Sequence, residues 1–523
     1  MTFEAASMSQ RSMDAKSENL FCELTEHWHT HSNKALFILS NQKSITFGEA
    51  FKQTQKLAAV IVALGVEQGD RVAAQVDKSP TAVLLYLACL QVGAVYLPLN
   101  PSYTQTEIDY FLQDAEPRLF VHRPEITPDI DGDLVHIVLA TLGAEGEGSL
   151  TQNLAGIEPL LKIASVTASD LAAVLYTSGT TGRSKGAMLT HANLSSNCQA
   201  LVDCWQFDHQ DVLIHALPIF HIHGLFVACN MAFKSACSMV FLPTFNARSI
   251  IQYLPKATVL MGVPTFYTRL LNEPELGVDC CQHMRLFVSG SAPMTIDTHQ
   301  QFYQRTGQNV LERYGMTETG MICSNPYVGE RKPGAVGLPL PAVQLRIVDR
   351  SSAKELAVGD VGAIEVRGPN VFKGYWRMPE KTAEEFRDDG FFVTGDLGRV
   401  DEDGYLHIVG RDKDLVISGG YNIYPKEVEV QIDALAGVQE SAVIGLPHKD
   451  FGEAVTAVVV LNAGSNLSAV DIKAQIAANL AKYKQPKQII MVDALPRNTM
   501  GKVLKNELRV DYKHLYQTIA IFR

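Results

Sequence analysis

The chain has 523 residues, 46% of them hydrophobic and 19% charged. That length favours more than one domain, and that balance supplies a large packed core and excludes a disordered chain. The formal net charge of −11 offers no basic field for a nucleic-acid backbone, so nucleic acid is not an expected partner. A small anionic ligand needs only local positive charge.

The N-terminal "MTFEAASMSQRSMDAKSENL" carries acidic residues and no hydrophobic stretch; it reads as a loose leader rather than a signal peptide. Short apolar runs then alternate with longer amphipathic ones: "SITFGEA", "FKQTQKLAAVIVALGV", "RVAAQV", "SPTAVLLYLACLQVG", "AVYLPL". The alternation predicts βαβ units around a largely parallel sheet. The longest apolar run is broken by Gln91 and Gly93 and reads as a buried helix followed by a strand, not a membrane span. Strand-like "VLIHALPIF", "CSMVFLP", "ATVLMGVP" and "MRLFVSG" each end in a turn with Pro, Gly or His. In open α/β sheets ligands gather at such carboxyl ends.

From about Gly337 the texture changes to antiparallel strands with Asp-Gly turns, then to a compact α+β pattern after "GRDKDLVISGGYNIYP". The expected fold is therefore α/β. A large N-terminal domain of βαβ layers with a β-rich subdomain spans 1–411, and a small mobile α+β C-terminal domain spans 412–523. The nine cysteines form no CxxC pair, and Cys280 and Cys281 are adjacent rather than at metal-ligand spacing. They read as free thiols in a reducing compartment, so the expected location is cytoplasmic.

The segment "LYTSGTTGRSKGAML" (175–189) is dense in small and hydroxylated residues. An apolar strand ends at Tyr176, a loop follows, and "AMLTH" resumes as a strand. Gly179, Gly182 and Gly186 let backbone amides approach an anion, hydroxyls add donors, and Lys185 adds a point charge. This is phosphate-binding chemistry. It is not a Walker A loop, because Ser184 precedes Lys185 and Gly186 follows it; this argues against a P-loop kinase or ATPase, a reading that AMP rather than ADP as product would settle.

The order of residues in "YTSGTTGRSKG" resembles the phosphate loop of the adenylate-forming superfamily, which includes acyl-CoA synthetases, luciferases and peptide-synthetase adenylation domains. The resemblance continues through "ERYGMTET" (312–319), "TGD" (394–396), "GRDKD" (410–414) and "PRNTMGK" (496–502), in the family's order across nearly the whole chain. It implies an AMP-forming acid–thiol ligase that uses ATP, Mg2+ and coenzyme A. A carboxylate attacks the α-phosphate, giving an acyl-adenylate and pyrophosphate; a thiol then displaces AMP.

Carried over residue by residue, the resemblance implies ATP contacts from Thr177, Ser178, Gly179, Thr180, Thr181, Gly182, Lys185, Tyr314, Gly315, Asp396 and Arg411. Asp396 would accept the ribose hydroxyls and Tyr314 would stack on adenine or be a half-buried core tyrosine. Thr317 would contact the α-phosphate, Glu318 would bind Mg2+, and Lys502 would bridge carboxylate and phosphate. Lys413 would be the pivot on which the small domain turns between the two steps, bringing Gly419 and Gly420 to the pantetheine tunnel. Lys502 is also an expected target of a lysine acetyltransferase.

For the acid, "PIFHIHGLF", "GVPTFYTRLL", "VSGSAPM" and "LERYGMTET" place His221, Arg269, Ser291 and Arg313 in segments that border the acyl pocket in the family. Guanidiniums beside a hydroxyl make a receptor for a second carboxylate. These segments look like those of malonyl-CoA synthetases, which implies malonate, with methylmalonate as a further substrate. Arg269 has an alternative, pairing with Glu273 or Glu275 at the surface, and Arg313 could serve the nucleotide instead. The alternative function is a fatty-acid or aryl-acid CoA ligase of the same superfamily.

Overall fold

The computed structural model describes residues 18–41, 43–128, 132–177, 184–419, 421–498 and 501–516. Two sheets form the bulk of the chain. One has six strands in the order Val138–Thr141, Leu119–His122, Arg71–Gln75, Val95–Pro98, Leu171–Thr177, Lys185–Thr190. All its pairs are parallel except the last, where Leu171–Thr177 and Lys185–Thr190 form a hairpin. The other has nine strands, with a parallel centre built from Ser238–Phe241, Val212–His215, Val259–Gly262, Leu286–Ser289 and Val310–Met316.

The sequence explains the layers locally. Helix Phe47–Ala63 starts in a capping box in which Thr46 and Glu49 satisfy each other's backbone amides, and it buries Leu57, Ala58 and Ile61 on one face. Helix Pro80–Val92 has Ser79 as N-cap and Pro80 in its first turn. From Ala82 to Val92 every residue is buried, as expected for a helix without a polar face that packs on all sides. This is the long apolar run of the sequence. Among the described residues no helix is long and apolar enough to cross a membrane.

The antiparallel region is a four-stranded sheet, Gln344–Val348, Gly362–Arg367, Phe392–Val400 and Leu406–Arg411. After it, Tyr421–Ile423, Val416–Ser418, Gly452–Leu461, Val438–His448 and Gln488–Met491 make a separate five-stranded sheet. That sheet has its own buried clusters, one around Val428, Ile432, Val455 and Ile472 and one around Ile444, Val458 and Leu508. The fold is thus α/β with a smaller α+β unit at its C-terminal end. One element has no counterpart in the sequence pattern: His223–Cys229 is a π-helix, a geometry that recurs at functional sites.

Candidate functional site

One side of the candidate site is built where Phe392–Val400 and Leu406–Arg411 run antiparallel. Their register sets Asp396 opposite Arg411, and Arg411 Nε lies 2.6 Å from Asp396 Oδ1. Tyr314 donates its hydroxyl to Asp396 Oδ2 at 2.5 Å, which joins the "ERYGMTET" and "TGD" segments at one carboxylate. Gly315 follows at a bulge in the strand pair; a Cβ there would collide with the Gly320 carbonyl. Burial pulls the Arg411 guanidinium down, but Asp396 outweighs it and holds the group above its ordinary value.

Lys502 reaches this spot from the C-terminal unit. It sits in a tight turn: its amide donates to Asn498 Oδ1 at 2.9 Å, and the Asn498 amide donates to its carbonyl at 3.0 Å. Arg497 fastens the turn by donating to the Gly501 carbonyl and to Glu440. A Cβ on Gly501 would lie 3.0 Å from Thr265 Oγ1, so the turn rests on helix Pro264–Leu271 of the large unit. Lys502 is exposed at the rim of the cleft, yet the cleft walls push its ammonium down to about 8. Burial is the first cause, the Arg411 charge the next, and Lys413 adds to it against the pull of Asp396 and Asp414. Three cations converge here, as a polyanion site requires.

A second side centres on Lys185, whose strand begins at that residue, one position before the expected end of the loop, because Lys185 pairs in register with Thr177. Lys185 Nζ lies 2.9 Å from Glu385 Oε1 and 4.1 Å from the centroid of the Tyr375 ring. The Tyr375 hydroxyl donates to Glu385 Oε2 at 2.6 Å and lies 3.2 Å from Glu318 Oε1. Thr177 Oγ1 reaches Glu318 Oε1 at 3.4 Å. Glu318 is buried, which raises its carboxyl above the ordinary value. Thr317 is partly buried in the turn just before it.

The third side is a buried polar cluster. Arg313 is 4% exposed, and its Nε and Nη2 are buried with no hydrogen-bond partner among the described residues. Burial holds its guanidinium down to about 9, still a cation at neutral pH. His221 and His223 both feel its charge. Burial first, and then Arg313, push His221 down to about 4 and His223 well below its ordinary value, so both rings are neutral. His221 Nδ1, His223 Nε2 and Ser289 Oγ are likewise buried without partners. Ser291 Oγ lies 3.4 Å from His223 Nδ1, on a backbone with φ +69°, a region that a non-glycine residue seldom occupies.

Known proteins are similar to this chain in sequence and fold. The model of the AMP-binding enzyme family matches residues 24–376, and that of the AMP-binding enzyme C-terminal domain matches 427–502. The chain belongs to the AMP-binding enzyme family. The malonate–CoA ligase ACSF3 of Xenopus laevis is 34% identical over 516 residues, covering 89% of this chain and 88% of its own length. The long-chain-fatty-acid–CoA ligase of Bacillus subtilis is 33% identical over 504 residues, covering 89% of this chain and 90% of its own. The crystal structure of ATP-bound MatB from Rhodopseudomonas palustris superposes with a TM-score of 0.92 at 54% identity, covering 96% of this chain and 100% of that one. By family and fold this AMP-binding enzyme is an AMP-forming acyl-CoA synthetase.

Within the AMP-binding enzyme the expected residues fall into place unevenly. Thr177, Lys185 and Glu318 meet through Tyr375 and Glu385, Tyr314 and Arg411 meet at Asp396, and Lys502 feels the charges of Arg411 and Asp396. Lys413 is exposed in the single turn Asp412–Asp414, and Gly419 is in a tight turn with φ +59°. Ser178, Gly179, Thr180, Thr181, Gly182 and Gly420 lie outside the described residues. Arg269 is exposed, with its guanidinium 5.8 Å from the Phe245 ring centroid. Its helix turns Phe266, Tyr267 and Leu270 into the core and sets Arg269 one turn on from Thr265, the residue against which the Lys502 turn rests. It does not pair with Glu273, which takes Arg248 instead. Tyr375, Glu385 and Gly290 were not legible: "EKTAEEF" has the composition of any solvated helix end, and only the fold brings Glu385 to Lys185.

Proposed function

We propose that this enzyme ligates malonate to coenzyme A through a malonyl-adenylate, with AMP and pyrophosphate as the other products, and that methylmalonate is a further substrate. The observation that carries the reading is Arg313. A buried guanidinium with free donors is costly unless an anion meets it, and a carboxylate is the group whose geometry matches. Only one carboxylate of the acid is consumed. A second one, seated on Arg313 with neutral His221 and His223 around it, would distinguish a dicarboxylate from acetate or a fatty acid, which would leave the cation unpaired. The malonate–CoA ligases among the relatives and the likeness to MatB support the same choice.

The rest of the cleft then divides the work. Asp396, held by Tyr314 and Arg411, presents its carboxylate to the ribose hydroxyls. Lys185 faces the triphosphate. Lys502 brings positive charge to the point where two anions, carboxylate and α-phosphate, must approach each other, and so lowers the barrier by offsetting their repulsion. Glu318, with Thr177 and Tyr375 beside it, offers the hard oxygen donors that suit Mg2+; that ion would neutralise phosphate charge. Lys413 at the junction of the two units is the pivot in this reading, and Gly419 with Gly420 would flank the thiol.

The test is product formation with ATP, Mg2+ and CoA on malonate, methylmalonate, succinate, acetate, octanoate and 4-coumarate. AMP and pyrophosphate release should be greatest with malonate and should collapse in Arg313→Ala and fall in Arg269→Ala. Turnover of octanoate or coumarate without malonate would overturn the choice of acid and keep the ligase chemistry.

A further inference from the structure

The acidic residue next to Lys185 has three partners among the described residues. Glu385 ends helix Pro379–Glu385. Lys185 Nζ meets its Oε1 at 2.9 Å, Lys381 Nζ meets the same oxygen at 3.4 Å, and the Tyr375 hydroxyl donates to its Oε2 at 2.6 Å. The side chains of Lys185 and Glu385 are 9% and 21% exposed, so the pair is shielded from most of the solvent that would screen it. Burial alone would raise the Glu385 carboxyl, but Lys185 and Tyr375 outweigh it and the group is held below its ordinary value. It is therefore a full negative charge facing a phosphate-binding lysine.

A hydroxyl has one proton to give. With Tyr375 donating to Glu385, the neighbouring Glu318, 3.2 Å from the same hydroxyl, is left to Thr177 on this side. The Tyr375 ring meanwhile supports the Lys185 ammonium at 4.1 Å. One tyrosine thus ties the phosphate-facing cation, its counter-charge and the candidate magnesium carboxylate into a single unit.

We propose that Glu385 is a tempering residue: it partly neutralises Lys185, so that the cleft holds the pyrophosphate end of ATP weakly enough for pyrophosphate to leave after adenylation. A polyanion bound by an unopposed buried lysine would dissociate slowly, and product release is often the step that limits such enzymes. Tyr375 positions both partners.

The inference rests on reading Lys185 as the triphosphate-facing cation, and the experiment separates the two. Binding of Mg·pyrophosphate is measured by calorimetry on the full chain as wild type, Glu385→Gln, Lys185→Met and the double variant. Glu385→Gln keeps the shape and removes the charge; it should tighten pyrophosphate binding about three- to tenfold, and the gain should vanish in the Lys185→Met background. Unchanged or weaker binding in Glu385→Gln, with Lys185→Met clearly weakened, overturns the tempering role. Wild-type affinity in Lys185→Met overturns the assignment of Lys185 instead. Tyr375→Phe, which keeps the ring under Lys185 and releases Glu385, should shift binding in the same direction by less, and it decides the matter should Glu385→Gln not fold.

Discussion

A Cβ added to Gly290 would lie 2.6 Å from both Nε and Nη1 of Arg313. The guanidinium therefore lies flat against the backbone at the end of strand Leu286–Ser289, and only glycine leaves room for it. Gly290→Ala should displace Arg313 without straining the backbone, since this glycine is not in the left-handed region. The expected result is a rise in the malonate KM of about tenfold or more, with the KM for ATP nearly unchanged, because the cost falls on one well-placed ion contact. Steady-state kinetics with each substrate varied in turn checks it; equal rises in both would place Arg313 in a shared structural role.

Arg313→Met should exchange selectivity for stability. Removing a buried charge with free donors relieves its desolvation cost, so the variant should melt at a higher temperature, by roughly 1–3 kcal/mol in stability. Malonate kcat/KM should fall by about a thousandfold, while butyrate, now facing an apolar wall, should gain turnover. Thermal melts and pyrophosphate release on the two acids read both effects.

The layers were legible because their signals are local, and so was the grouping of Tyr314, Asp396 and Arg411, which come from contiguous runs. The capping box at Thr46 and Glu49 and the all-apolar run after Ser79 foretell their helices, and Lys502, Asp396 and Glu318 sit in contiguous motifs. The acid side was half legible. Arg313 follows Glu312 in a recognisable segment, whereas Arg269 lies on an exposed helix face beside the Lys502 turn, and its sequence alone does not say what that face meets. Glu385 was beyond reach, since its meaning lies in a contact 200 positions away in the chain. The π-helix at His223–Cys229 was also beyond reach, because its apolar residues have no spacing that separates it from an α-helix.

The charge on Lys502 should set an alkaline limit. Its ammonium is pushed down to about 8, and only the protonated form offsets the repulsion between carboxylate and phosphate. The kcat/KM of the adenylation half-reaction, which reports the free enzyme, should therefore fall about tenfold for each pH unit above about 8. Lys502→Arg keeps a cation at every accessible pH and should lose that falling limb even if its rate is lower. Pyrophosphate exchange from pH 6 to 10 on both proteins shows the limb or its absence, and a limb unaltered in the arginine variant would assign it to another group.

Buried histidines should make the fold sensitive to acid. His191 is 1% exposed, accepts the Leu20 amide on Nδ1 at 3.1 Å and has Nε2 buried without a partner among the described residues. Burial pushes its ring down to about 4, against a mild pull from Asp170, and pushes His221 down to about 4 as well. In the unfolded chain each takes up a proton near pH 6.5, whereas the folded chain refuses it until about 4. Their depressed values thus leave stability intact above pH 6.5 and erode it as pH falls toward 4, by up to about 3 kcal/mol for each histidine. Urea titrations between pH 7 and 4.5 should show this loss. His191→Gln, whose side-chain oxygen can still accept the Leu20 amide but which cannot take up a proton, should make the slope shallower, His221, His223 and His215 carrying the remainder; a slope identical to that of the wild type would show that other groups carry the acid sensitivity.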